Sequence, residues 1–316
     1  VFVTRRLPGV EPAMRARFDA VLNEHDRKLT RDELIAGMRE CDVLVPCVTD
    51  RIDGEMIAAA GARLGLIANF GAGVEHLDLA ACADAGIQVS NTPHTFTDDT
   101  ADITMALILG AARRLGEGVR LIAGQTWDGW APSALLGSAL SGKVLGIVGM
   151  GAIGQALAQR ARGFGMRIAY HNRRPLDPAL EHGGRFVGEL DALIAEADFL
   201  SLNCPATPET KGLLDARRIA LMKPGSFVIN SGRGDLIDED ALVAALASGH
   251  LAGAGLDVFK GEPAIDPRLA EMPQVFGLPH LGSATVEGRT AAGEKIIANI
   301  EAWLVGGKLP DGVVTI

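Results

Sequence analysis

The chain is poor in cysteine, and its four cysteines show no pairing. Cys41, Cys47, Cys82 and Cys204 are scattered without a C-x-x-C spacing, which excludes a zinc knot or redox dithiol of that kind and leads us to expect buried, reduced thiols. The seven histidines lack metal-ligand spacing too, so no metal is expected. No apolar run is long: Met105 to Ala112 falls far short of the roughly 20 residues of a bilayer span, and no membrane partner is expected. The first residues lack the charged, apolar and small-residue zones of a signal peptide, which points to the cytoplasm. A start at Val1 rather than methionine leads us to expect a few leading residues to be missing. Positive charge is in deficit, with a net charge of −9, which argues against a general nucleic-acid or acidic-membrane binder. Neither a solenoid repeat nor a low-complexity segment occurs. What remains is ordinary globular composition, 48% hydrophobic and 22% charged over 316 residues, which suits two domains better than one.

The most informative stretch is Lys143-Val-Leu-Gly-Ile-Val-Gly-Met-Gly-Ala-Ile-Gly154. Val144 to Val148 reads as a strand buried on both faces, and Gln155 to Arg162 continues as an amphipathic helix. Between them Gly149 permits a tight bend, Gly151 lets phosphates approach the backbone, and Gly154 lets helix and strand pack closely. The free N–H groups of the helix start, at Ala152 and Ile153, then face an anion. A bound dinucleotide is the expectation.

Short apolar runs alternate with helical patterns on either side of this loop. Residues 1–3, 43–48, 64–69 and 87–89 read as strands of a first α/β layer system. One long helix is expected from Asp99 to about Ala123, bridging two domains, with Arg113-Arg114 near its middle. A segment rich in Gly, Ser, Trp and Pro follows, Gln125 to Ser141. Six further strands, at 144–148, 167–171, 198–202, 226–230, 252–257 and 275–278, suit a complete doubly wound dinucleotide domain. The last helix, Glu287 to Val305, is expected to return to the first domain. The resulting division is 1–98 plus 287–316, and 99–286.

Three residues stand just beyond strand ends, where open α/β sheets collect ligands: Arg233, Glu262 and His280. Arg233 leaves the sheet at a glycine-flanked turn, where a planar guanidinium fits a carboxylate. Glu262 follows the strand that ends near Asp257, and His280 sits in Leu278-Pro-His-Leu-Gly-Ser-Ala-Thr285. A carboxylate paired with an imidazole orients the ring and favours its protonated form.

With these motifs stand Asn69-Phe-Gly-Ala-Gly-Val-Glu-His-Leu-Asp78, Thr100-Ala-Asp-Ile-Thr-Met-Ala-Leu, Asn230-Ser-Gly-Arg-Gly-Asp235 and Gly255-Leu-Asp-Val-Phe259 with Glu262-Pro263. Together they resemble the D-isomer-specific 2-hydroxyacid dehydrogenase family over nearly the whole chain, and most closely its glyoxylate and hydroxypyruvate reductase branch. The resemblance implies an α/β fold of two doubly wound, Rossmann-like domains with parallel sheets and an active-site cleft between them. It also implies a homodimer, with the long helix and the 125–141 arm on the partner. The substrate would be a small 2-oxo or 2-hydroxy acid, its carboxylate held by Arg233 and by backbone N–H groups of Ala72 and Gly73 in an anion nest. His280 as imidazolium would protonate the carbonyl oxygen, Glu262 would hold that imidazole, and Arg233 would stabilise charge developing on oxygen. Cofactor contacts would fall at Thr100, Gly149, Gly151, Ala152, Ile153, Gly154, Asn172, Arg173, Arg174, Cys204, Pro205, Ser231, Asp257, His280 and Gly282.

An NAD-preferring member usually carries an acid at the end of the second strand, about 20 residues past the glycine loop. Here His171 stands at that position with no carboxylate near it in the sequence, and Arg173 and Arg174 follow, which points to NADPH over NADH. Substrate-facing side chains are expected from Val48-Thr49-Asp50, the glycine nest and the arm around Trp127 to Leu136. After Trp130 the arm carries Ala134-Leu135-Leu136 where hydroxypyruvate-reducing relatives can have a large aromatic, which leaves room for a bulkier 2-oxo acid. Two rivals share the fold. A nucleotide-sensing corepressor would retain the triad but is disfavoured by the lack of a long polar tail. A formate dehydrogenase would need no proton-donating His–Glu pair and carries an additional N-terminal extension.

Overall fold

The computed structural model describes residues 1–312. The described residues divide into two compact units, Val1–Phe96 together with 283–312, and Thr97–Gly282.

The first unit carries β1 (Phe2–Val3), β2 (Val21–Leu22), β3 (Val43–Val45), β4 (Leu66–Ala68) and β5 (Gln88–Ser90), all parallel, in the order β2-β1-β3-β4-β5. Period-2 alternation sends Leu44, Ile67 and Val89 to one face, against Leu34, Met38, Met56 and Cys82. Val43, Val45, Leu66 and Ala68 go to the other face, where Ile296, Ile297 and Ile300 of the helix Val286–Leu304 cover them. The last helix thus completes the core of the unit containing the N-terminus. Thr285 starts it by accepting from the N–H of Gly288.

The second unit carries β6 (Val144–Val148), β7 (Arg167–His171), β8 (Arg185–Phe186), β9 (Phe199–Leu202), β10 (Ser226–Asn230), β11 (Leu251–Leu256) and β12 (Val275–Gly277). These strands are parallel, in the order β12-β11-β10-β9-β6-β7-β8. This is the doubly wound arrangement with its switch point beside β6, extended by one strand. Again the strands are buried on both faces: Leu145, Ile147, Ile168, Tyr170 and Ile229 join one core layer, Val144, Val148, Leu200 and Val228 the other. Phe199 and Phe227 stack with centroids 4.7 Å apart.

Three expectations need correction. The second sheet has seven strands rather than six, because the two-residue edge strand β8 carries no readable period; β2 was missed in the first sheet for the same reason. The single long helix is two, Thr97–Ala112 and Leu115–Ala123. Arg114 breaks it with φ +55°, its guanidinium forked onto Glu117. Only Cys41 and Cys82 are buried, and burial pushes both thiols up to about 11, whereas Cys47 and Cys204 are half-exposed. Among the described residues no helix is long and apolar enough to cross a membrane.

Candidate active site

Each of the three glycines after β6 has its own surroundings. A Cβ on Gly149, at φ +93°, would lie 2.6 Å from the backbone nitrogen of Cys204. One on Gly154 would lie 2.6 Å from the carbonyl oxygen of Gly149 and 3.2 Å from Ile147. One on Gly151 would meet nothing within 4 Å. The outer glycines therefore close the turn on protein, and the middle one opens onto space. Gly151 also starts the helix Ala152–Gly163 without a side-chain cap. Helices starting at Thr30, Asp53, Asp78, Asp215, Asp238, Asp266 and Thr285 each have one first-turn N–H donating to that residue's side chain. The helix start at Ala152 and Ile153 thus keeps N–H groups that no side chain caps, an arrangement with the chemistry to hold an anion. Asn172 steadies the loop, its Oδ1 accepting from Met150 N at 2.7 Å.

Beyond β10, Asn230 is fully buried, accepts from Gly232 N at 3.0 Å and donates to Arg233 O at 2.9 Å. The half-buried Arg233 donates from Nη1 to Gly232 O. Ser231 shares a 2.6 Å hydroxyl contact with the buried Thr104.

The residues after β11 and β12 form one assembly. Asp257, 1% exposed, accepts from His280 N through its backbone oxygen at 2.9 Å. Its Oδ1 accepts from Leu281 N at 2.7 Å, and its Oδ2 from Gly282 N at 2.8 Å. Burial pushes the Asp257 carboxyl up, and these backbone donors oppose the shift. The Gly282 carbonyl in turn accepts from Thr100 Oγ1 at 3.0 Å. Held this way, His280 sits at φ +56° with Nδ1 3.2 Å from Glu262 Oε2, both side chains about one-third exposed. The pairing orients the ring through Nδ1 and leaves Nε2 for a ligand. The Glu262–His280 pairing is the one the sequence led us to expect, whereas the hold of Asp257 on the backbone of residues 280–282 was not foreseen.

In the first unit the turn after β4 is arranged around the buried Asn69. Asp50 departs from expectation: it is 1% exposed, with Oδ2 taken by the hydroxyl of Thr4 and by Cys47 N, so it braces the turn instead of facing a substrate. Val48 and Thr49 are exposed.

At the far end of the glycine loop, His171 Nδ1 donates to Val187 O at 3.0 Å, and Arg173 and Arg174 are exposed. One acidic residue was missed. Glu209, on a loop distant in sequence, comes within electrostatic reach of Arg173, and its carboxyl is held below the usual range first by the Thr207 hydroxyl and last by that guanidinium. No local spacing signals this.

A family model described as the D-isomer specific 2-hydroxyacid dehydrogenase NAD binding domain matches residues 105–282. A glyoxylate reductase of Thermococcus litoralis is 40% identical over 99% of this chain and 96% of its own length. The chain belongs to the D-isomer specific 2-hydroxyacid dehydrogenase family. A glycerate dehydrogenase of Hyphomicrobium methylovorum is 41% identical over 92% of this chain and 91% of its own. The solved NADPH-dependent glyoxylate/hydroxypyruvate reductase of Sinorhizobium meliloti, in complex with NADP and malonate, superposes with a TM-score of 0.86 at 31% identity, covering 99% of this chain and 96% of that one. This dehydrogenase is accordingly an oxidoreductase with a nicotinamide-binding second unit, in the glyoxylate reductase branch of its family.

Proposed function

We propose that this dehydrogenase uses NADPH to reduce a small 2-oxo acid, glyoxylate or hydroxypyruvate, to the D-2-hydroxy acid. The observation carrying this reading is the Glu262–His280 pair, latched by Asp257 in the same unit as an uncapped, open glycine turn. Gly149, Gly151, Ala152, Ile153 and Gly154 would hold the pyrophosphate, with Thr100, Cys204, Pro205, Ser231, Asp257, His280 and Gly282 toward the nicotinamide and Asn172, Arg173 and Arg174 toward the adenosine. When bound, the reduced nicotinamide supplies a hydride to the carbonyl carbon. His280 gives a proton from Nε2 to the carbonyl oxygen, while Glu262 at Nδ1 fixes the ring. Arg233 and the N–H groups of Ala72 and Gly73 take the carboxylate, and the Arg233 charge also offsets charge growing on oxygen. In this reading the enzyme draws on cytoplasmic reduced nicotinamide.

The preference for NADPH rests on His171 where an acid would otherwise stand, on the two exposed arginines that follow it, and on the NADP held by the Sinorhizobium relative. The arm offers a second reading, reduction of a bulkier 2-oxo acid, because Ala134-Leu135-Leu136 replaces a large aromatic and Leu136 is 67% exposed. Initial rates with glyoxylate, hydroxypyruvate, pyruvate and phenylpyruvate, each with NADPH and NADH, separate these. Glyoxylate or hydroxypyruvate with NADPH should give the highest kcat/KM, and phenylpyruvate in first place would favour the second reading. A higher specificity constant for NADH would overturn the cofactor assignment. His280→Ala should lower kcat by about 10²- to 10⁴-fold; near-normal turnover, with chemistry rate-limiting, would remove His280 from the mechanism.

The reading includes a homodimer. The helix Leu115–Ala123 has no buried residue, although Leu115, Val119 and Ile122 share one face and are 46%, 67% and 63% exposed. Trp127 and Trp130, in the arm that follows, are likewise exposed. A second copy of the chain, with the same face, is the occupant we propose.

A further inference from the structure

In the turn after β4 the carbonyl oxygens of three successive residues, Gly71, Ala72 and Gly73, are claimed by other groups. Asn69 is fully buried, and its Nδ2 donates to Gly71 O at 3.1 Å and to Gly73 O at 2.9 Å. Gly71 O also accepts from Thr92 N at 3.0 Å, and the oxygen between them, on Ala72, accepts from Asn91 Nδ2 at 2.7 Å. Gly71 takes φ +150°, which a side chain would resist. With three successive carbonyls held, the N–H groups of Ala72 and Gly73 find no acceptor among the described residues. Asn69 uses both amide hydrogens on carbonyls, so its orientation is decisive: flipped, it would set its oxygen against two others. His76 fixes that orientation, with Nε2 2.9 Å from Asn69 Oδ1. Since Oδ1 can only accept, Nε2 carries the hydrogen.

We infer that Asn69 and His76 are positioning residues for substrate binding: His76 locks the Asn69 amide, and Asn69 aims the Ala72 and Gly73 N–H groups at the substrate carboxylate. The inference deepens the reading above and rests on it, since it takes the acid's carboxylate as the occupant of this nest. Neither side chain need touch substrate. Binding that is equal in ground and transition states appears in KM and leaves kcat alone, so the two residues should act on KM.

The test uses His76→Leu, which removes the donor, His76→Gln, which can restore it from an amide N–H, and Asn69→Asp, which replaces the donating amide with an acceptor. Steady-state kinetics with glyoxylate at saturating NADPH are combined with the dissociation constant of NADPH and that of oxalate, a carboxylate probe, for the NADPH complex. His76→Leu should raise KM and weaken oxalate by about 10-fold, the loss of one oriented hydrogen bond. Its kcat and NADPH affinity should stay within about threefold, and His76→Gln should recover most of the difference. Asn69→Asp should exceed His76→Leu in the same direction. Should Asn69→Asp fail to fold, the His76 pair decides alone. A wild-type enzyme that reduces glyoxylate while His76→Leu keeps its KM and oxalate affinity overturns the inference and leaves the function standing. So does a drop in kcat and NADPH affinity along with KM that His76→Gln fails to reverse, the mark of a general structural role. A wild type that oxidises NADPH with no 2-oxo acid overturns the function, and the inference with it.

Discussion

Gly151→Ala should leave folding intact and cripple cofactor binding, and its neighbours supply the controls. The residue sits at φ −80°, ψ −160°, extended backbone open to alanine, and the added Cβ would meet nothing within 4 Å. Alanine is a poorer helix start than glycine by roughly 0.5–1 kcal/mol. Against that, restricting the unfolded chain returns about 0.4–1 kcal/mol. The two nearly cancel, and in a unit of this size about 0.5 kcal/mol moves Tm by only 1–2 °C. The same methyl, however, occupies the space proposed for the pyrophosphate. A misplaced methyl in a packed contact costs about 1–3 kcal/mol. That is about a 5- to 150-fold rise in Kd. Gly154→Ala reverses the pattern: its Cβ lands 2.6 Å from a backbone oxygen that cannot rotate away, so stability should fall by about 1–3 kcal/mol and Tm by several degrees. Thermal melts without cofactor and fluorescence titration with NADPH measure both. A Gly151→Ala protein that binds NADPH within twofold of wild type, or melts as low as Gly154→Ala, would refute the assignment of this turn.

Three more outcomes follow from the surface. Arg173→Ala should raise KM for NADPH by about 10-fold and leave NADH nearly unchanged, since a charge-assisted contact to a 2′-phosphate is lost. Glu209→Gln should shift the ratio toward NADPH by a few-fold, because it removes a negative charge within reach of Arg173. Equal effects of Arg173→Ala on both cofactors would place that guanidinium elsewhere. For assembly, Val119→Asp with Ile122→Asp should convert a dimer to a monomer in light scattering after size exclusion, and unchanged mass would exclude this helix face from the interface.

The sequence was most readable where burial was complete. Val144–Val148, Arg167–His171 and Ser226–Asn230 match their expected bounds because each has a buried centre of at least three residues set off by glycine or polar residues. Edge strands β2 and β8 contribute two residues each, too short for any period to show. The break at Arg114 was hidden because apolar spacing continues across it and a positive φ at arginine has no composition signal. At the site, residue types bearing chemistry could be named from motifs, but their supports could not. Asp50 looked available and proves to be bound to Thr4, 46 positions away. Glu209 reaches Arg173 only through the fold.

A common device explains why the candidate functional groups sit on turns rather than on the strands that precede them. Asn69, Asn230 and Asp257 each end or directly follow a strand, at 0%, 0% and 1% exposure. Each spends its side chain on the backbone of the turn carrying Ala72-Gly73, Arg233 or His280. A buried polar group must be paired, so the strand end and the turn constrain each other. The residue type follows from what is held. Asp257 faces two N–H groups, for which two acceptor oxygens are needed; Asn230 faces one N–H and one carbonyl, and Asn69 faces two carbonyls and a donating imidazole, for which an amide is needed. Exchanging acid and amide at any of these positions would set like against like, oxygen on oxygen or N–H on N–H, at a cost of roughly 1–3 kcal/mol for each group left unpaired. The candidate side chains of His280 and Arg233 are thereby carried on turns that other, buried residues hold in place.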